Sequence, residues 1–485
     1  MPDRPTLSVP MSSRPLRLAL ACVLACAGGC AVGPDYVRPD APVPVAWGEA
    51  VPAGLPQVGD GPWWEAWNDP VLDALIERVD LSNQSIAAAE ASYRQARALV
   101  RGQRAAWFPT VSADLGASRS GGDASTVGDS GVIRGSNSRQ VDLSVGASWE
   151  VDVWGRVRRS VEAARADAAA SAADLAAARL SARGELATAY FQLREADAEI
   201  ELLEATIEGY ERALEITRNR YEAGIVVRSD VLQAESTLRS AQAERESLLQ
   251  QRAQLAHAIA VLVGEAPARF EVTSAPWDPA VPALPLGLPS DLLRRRPDVA
   301  AAQWRMRSAN ASIGVAQADW FPSLTLTGRG TSTADTVGEL VDAAVNTWSL
   351  ALGLAQTVFD GGARSAQVES ARASYEGTVA DYRQTLLGAF QEVEDNLAAA
   401  RALERRAELL AAQSEAADEA ERIMLNRYRA GQVAYTDVVT AQADALSARR
   451  TLAQAMRDRQ TTAVALVQAV GGDWSGRVDP APEAG

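Results

Sequence analysis

The side chains best suited to nucleophilic or metal chemistry in this 485-residue chain are three cysteines and one histidine. Cys22, Cys26 and Cys30 all lie in the first thirty residues, and His257 stands alone in the helical-looking stretch AQLAHAIAVL. Catalytic thiols need a nearby base, and tetrahedral metal sites need three or four converging ligands, so neither chemistry has its parts in the body of the chain. No glycine-rich phosphate loop and no Ser/His constellation is present either. The expectation is a protein that is not an enzyme, with no catalytic residue, no metal and no cofactor. With 62 acidic against 47 basic residues the formal net charge is -15, which argues against a nucleic-acid partner, because phosphate binding requires a basic stripe.

The cysteines suggest a different chemistry. Arg14 and Arg17 precede an apolar run that closes on small residues in LALACVLACAGGC, the composition of a secretory leader that is too short to span a bilayer. AGGC resembles a bacterial lipobox, in which the cysteine is acylated and becomes the new N-terminus. Cys30 is therefore the expected lipidation site, with residues 1–29 as the signal peptide; Cys22 and Cys26 head competing boxes. Ala31 follows Cys30 where an Asp would retain a lipoprotein at the inner membrane, so the expected destination is the outer membrane. Two or three acyl chains would hold there stably, at about 0.8 kcal/mol per buried CH₂.

An internal duplication organises the remainder. NRYEAG at 219–224 returns as NRYRAG at 426–431, Ala164-Arg165-Ala166 as Ala371-Arg372-Ala373, and Gly264 as Gly471, each 207 residues on. WFP at 107–109 returns at 320–322, 213 residues on. Such a series identifies a repeated unit. The expected organisation is an extended Pro- and Trp-rich tether over 30–70, a first repeat over 71–266, a Pro-rich linker over 267–297, a second repeat over 298–473 and a tail over 474–485.

Each repeat opens with an Ala-rich helix that stops at WFP, where proline disfavours helix at the preceding residue. Alternating strands follow. Over 141–153, Val141, Leu143, Val145, Ala147, Trp149, Val151 and Val153 share one face, and Asp142, Ser144, Glu150 and Asp152 the other; a counterpart runs over 348–358. Polar segments at 119–139 and 329–345 read as long hairpin connections, giving four strands per chain. The stretch from Arg156 to Ala223 predicts a helix of 68 residues, about 100 Å long at 1.5 Å per residue, and returning helices are expected from Asp230 and Asp437 to Gly264 and Gly471. Four strands with one apolar face cannot close a barrel alone. Three chains supply twelve, enough to enclose a lumen.

These features carry a resemblance. CAVGPDYVRP, WWEAWNDPVLDALI, GLPSDLLRRRPDVAAAQ, both WFP turns and the twin NRY-x-AG phrases resemble the outer-membrane efflux lipoproteins of the TolC and OprM type, the NodT-like group of resistance-nodulation-division systems. The resemblance covers the mature chain. It implies a mainly α fold with a β-barrel portion: a homotrimer with one twelve-stranded outer-membrane β-barrel continuing into a long periplasmic α-helical barrel. It implies a passive exit duct, with a periplasmic adaptor protein and an inner-membrane pump as partners and outer-membrane lipid around the barrel.

The twin phrases then fall at hairpin tips, with Gly224 and Gly431 suited to a left-handed residue after each helix. Asp230 and Asp437 are expected as the N-caps of the returning helices. By matching positions the resemblance gives Arg220, Tyr221, Gly224, Ile225, Arg427, Gly431, Gln432 and Val433 to adaptor docking. It gives Asp230, Tyr428 and Asp437 to a periplasmic gate, in which Tyr428 meets Asp230 and Asp437 forms a ring. Thr440 stands where the family has a second ring Asp, and Val433 where some tips carry Arg. The competing reading is a soluble periplasmic coiled-coil adaptor or scaffold, which has no need of amphipathic strand pairs in each half.

Overall fold

The computed structural model describes residues 31–40, 43–49, 61–121, 127–128, 131–132, 138–282, 295–342 and 344–476; the signal peptide and Cys30 lie outside them. A 3-10 turn at Trp63–Trp67 leads into α1 (Pro70–Ser82) and α2 (Gln84–Ala105). Then come β1 (Thr110–Ser120), β2 (Ser138–Glu150), α3 (Arg156–Glu222) and α4 (Arg228–Leu262). The second repeat supplies α5 (Pro297–Ala318), β3 (Ser323–Ala334), β4 (Val345–Ala355), α6 (Ala363–Arg429) and α7 (Tyr435–Ala469). Helix for helix the bounds recur, α2 to α5 at 213 residues and both α3 to α6 and α4 to α7 at 207.

The chain divides into two units. The described residues of the first fall within 31–39, 95–168 and 304–380. Its centre is an antiparallel sheet in the order β1-β2-β3-β4, so β1 and β4 are both edges. The register sorts the side chains cleanly. Val111, Ala113 and Leu115 oppose Ala147, Val145 and Leu143, these continue to Gly328, Gly330 and Ser332, and Leu350, Leu352 and Leu354 complete the same face. The other face carries Ser112, Asp114, Asp142, Ser144, Thr327, Arg329, Thr331, Thr347 and Ser349.

The strands end three residues earlier than the alternation predicts, at Glu150 and Ala355 rather than 153 and 358. For β2 the reason is local. Asp152 turns out of the ladder and accepts hydrogen bonds from the backbone N–H of Val157 (2.9 Å) and Arg158 (3.0 Å), capping α3. Trp154 stacks on Phe321 at 4.8 Å between centroids and donates its indole N–H to the Pro322 carbonyl at 2.8 Å. The start of the tether is not free chain in this unit. The buried Arg159 guanidinium donates to the carbonyls of Val32 and Gly33 and pairs with Asp35 at 2.9 Å, and Asn310 donates to the Pro34 carbonyl at 2.9 Å.

The described residues of the second unit fall within 40–94, 169–303 and 381–476. One apolar core joins Leu72, Ile76 and Val79 of α1 to Leu186, Tyr190 and Leu193 of α3 and Ile259 of α4, with Trp63, Trp64 and Trp67 against it. A second core, at the helix reversals, joins Leu203, Tyr210 and Leu214 to Leu238, Tyr428, Tyr435 and Val438. The duplication is visible in its contacts. Asn83, just before α2, donates to the Leu262 carbonyl at 2.8 Å, and Arg296, just before α5, donates to the Ala469 carbonyl at 2.9 Å. Arg296 belongs to the RRRPD run, and its buried guanidinium also pairs with Asp298 (2.7 Å) and Glu392 (2.6 Å).

Candidate gating and docking site at the hairpin tips

α3 ends because Gly224 takes φ 71° and α6 because Gly431 takes φ 74°, a left-handed conformation that a Cβ would disfavour. Both ends close alike. Ile225 N–H reaches back to the Arg220 carbonyl and Gly224 N–H to Tyr221, while Gln432 and Gly431 do the same to Arg427 and Tyr428, every bond at 2.9 Å. This is the Schellman pattern, which satisfies the last carbonyls of a helix.

The aspartates are not N-caps. Backbone is still extended at Val227 (φ -91°, ψ 158°) and Ala434 (φ -73°, ψ 158°), so the helices begin two residues before each expected cap. Asp230 and Asp437 become third helical residues, with their N–H groups on the Val227 (3.1 Å) and Ala434 (3.2 Å) carbonyls. The Asp437 carboxylate reaches back to accept the Ala434 N–H at 3.1 Å, the acidic half of a capping box.

Between the two reversals the structure assembles an aromatic cluster. Tyr428 is 4% exposed. Its hydroxyl lies 3.5 Å from Thr217 Oγ1. Because Thr217 donates to the Ala213 carbonyl at 2.8 Å, Tyr428 is the donor of that contact. The Arg220 guanidinium sits over the Tyr428 ring at 4.5 Å and donates to its carbonyl at 3.4 Å. Tyr435 packs on Tyr428 with centroids 5.5 Å apart. Burial, reinforced by Tyr428 and Tyr210, pushes the Tyr435 phenol up to about 12, so it stays neutral in any physiological medium.

Tyr428 therefore meets Thr217 and Arg220, and no described hydrogen bond joins it to Asp230, which is half-buried. Asp437 is exposed, as are Arg427 and Gln432, and Val433 packs half-buried against the tip core. Tyr221, Ile225 and Val227 present apolar surface to solvent. Thr217 and Tyr435 carry no motif that sequence reasoning could use; only the seven-residue interval from Tyr428 to Tyr435 hints at a pair. Among the described residues no group of His, Cys, Asp and Glu is arranged to hold a metal ion.

A second polar group lies further along α3. Glu195 and Glu199, one helical turn apart and both buried, face α7. Arg457 approaches Glu195 at 3.6 Å, Arg450 approaches Glu199 at 3.4 Å, and Gln454 donates to Glu199 at 3.2 Å. Arg450 also pairs with Glu244 of α4. Burial, then the neighbouring Glu199 charge, pushes the Glu195 carboxyl up to about 7.

An amphipathic four-stranded sheet with open edges, joined to paired long helices in a twofold sequence repeat, defines the class: an outer-membrane channel of the TolC-like fold. The chain belongs to the outer membrane efflux protein family, whose profile matches residues 75–265 and 288–472. An antibiotic efflux pump outer membrane protein, ArpC, and a toluene efflux pump outer membrane protein, TtgC, both of Pseudomonas putida, are each 31% identical over 475 residues, 94% of this chain and 95% of theirs. The structure of the outer-membrane channel OprN superimposes with a TM-score of 0.82 at 32% identity, covering 91% of this chain and 99% of that one. The protein is thus the outer-membrane channel component of an efflux system, and a soluble adaptor is the wrong class.

Proposed function

We propose that the chain works as a homotrimeric passive duct. A periplasmic adaptor docks on its hairpin tips, an inner-membrane pump of the resistance-nodulation-division type supplies the energy, and acylated Cys30 anchors each chain in the outer membrane. The observation that carries this reading is the sheet: one face is apolar and exposed, with Val111, Leu115, Trp348, Leu350, Leu352 and Leu354 each at least 66% accessible, and among the described residues both edges are unpaired. In hydrocarbon every strand edge must find a partner, so β4 of one chain pairs with β1 of the next and three chains close a ring of twelve strands. The relatives named for toluene and antibiotic efflux support small, largely apolar organic molecules as cargo. No catalytic step is required of any residue.

At the tips, Tyr428 and Asp230 of each chain close the mouth and the ring of Asp437 side chains favours cations there. Gly224, Ile225, Gly431, Gln432 and Val433 form the adaptor-facing surface, with the flanks of Arg220, Tyr221 and Arg427 at its edge. The test is twofold. Outer-membrane fractions are expected to yield a trimer that becomes monomer only on boiling; recovery as a soluble monomer overturns the duct. The double variant Tyr428→Phe with Asp230→Ala is expected to raise single-channel conductance and antibiotic leakage, and unchanged values overturn the gate.

A further inference from the structure

Each tip carries the same Arg-Tyr pair, yet a single chain uses only half of what the two tips offer. On α3, Arg220 is half-buried against α6 while the adjacent Tyr221 is 44% exposed. On α6 the pattern is reversed: Tyr428 is buried beneath Arg220, and Arg427 is exposed. Neighbouring residues on a helix point about 100° apart, so each tip turns one member of its pair toward its partner in the chain and the other member away. The unused members are the repeat counterparts of the used ones: Arg427 stands 207 residues after Arg220, and Tyr221 stands 207 before Tyr428. Thr217, beneath Tyr428, has Met424 as its counterpart, half-buried on α6.

A closed ring of six tips has two kinds of junction, three within chains and three between them. We propose that the NRY phrase occurs twice because the same clasp is made at both. Arg220 lies on Tyr428 within a chain, and Arg427 lies on the exposed Tyr221 of a second copy of this chain, with Met424 beneath that ring. The interface is head-to-tail, the kind that closes into a ring when the rotation per step allows it, and the internal repeat supplies that rotation. A guanidinium over an aromatic face is the contact chemistry already present on one side. This inference rests on the trimeric reading above.

The experiment is site-directed crosslinking of the full chain in outer-membrane vesicles. The native cysteines all lie at or before residue 30, and the parent chain treated with the same reagent sets the background. A short bismaleimide is applied to Tyr221→Cys/Arg427→Cys and, as the within-chain control, to Arg220→Cys/Tyr428→Cys. The first pair is expected to give covalent dimers and trimers on denaturing gels, and the second an internally linked monomer. A trimer in which the control links but the Tyr221→Cys/Arg427→Cys chain stays monomeric on the gel overturns the clasp alone. A chain that never forms trimers overturns both the clasp and the duct.

Discussion

The fold perturbs the charge state of Glu195 within the physiological range. Its carboxyl is held up to about 7 by burial and by Glu199, with Arg457, Arg450, Gln454 and Glu244 around the pair. A folded-state value above the ordinary glutamate value means that the native state binds the extra proton. Its stabilising effect is complete below about pH 4.5 and is lost as pH rises through about 7. Glu195→Gln makes the neutral state permanent. The detergent-solubilised variant is expected to lose less stability than the native chain between pH 4.5 and 8 and to be the more stable of the two at pH 8, by roughly 1 to 3 kcal/mol. An unchanged pH profile would show that Arg457 already neutralises Glu195. The pair has no counterpart in the second repeat, where Ala402 and Arg406 occupy the matching positions, so it marks a place where the duplicated units have diverged.

At the scale of elements, much was legible because duplication makes the sequence its own control. Helices recurring at 207 residues and strands alternating on one face were both predictable, as was the left-handed glycine closing each long helix. What escaped was set by neighbours distant in sequence. Tyr428 faces Thr217 across two helices, 211 residues away, and no local pattern encodes that choice. The three-residue overrun of β2 had a different, local cause: Val151 and Val153 continue the alternation, but Asp152 between them is committed to capping α3. The sorted faces of the sheet give a directional prediction. Leu350→Arg places a charge on the apolar face and is expected to cost roughly 2 to 4 kcal/mol if it lies near the bilayer midplane. Thr347→Arg, on the opposite face of the same strand, should cost far less. Urea titration of trimers refolded into vesicles would measure both, and equal costs would mean that the apolar face does not meet lipid.

For the whole molecule, the polar face of the sheet becomes the wall of the barrel in the proposed trimer. Each chain contributes Asp114 and Asp142 against Arg329, which donates to Ser144 at 3.2 Å. Glu150 is spoken for by Arg156 at 2.6 Å. Among the described strand residues the polar face therefore carries two carboxylates outside any ion pair, Asp142 and the Ser112-bonded Asp114, for the one guanidinium of Arg329, and rings of carboxylates favour cations. The Debye length is about 10 Å at 0.1 M salt and about 3 Å at 1 M, so side chains lining a wide lumen influence passing ions in dilute salt and lose that influence in concentrated salt. Trimers in planar bilayers are thus expected to show a cation-selective reversal potential under a dilute KCl gradient that collapses toward zero in a concentrated one. The double variant Asp114→Asn/Asp142→Asn should lose the cation preference at low salt while keeping the native conductance at high salt. Selectivity that survives both substitutions would have to arise elsewhere, and the exposed Asp437 side chains at the tips are the group to remove next.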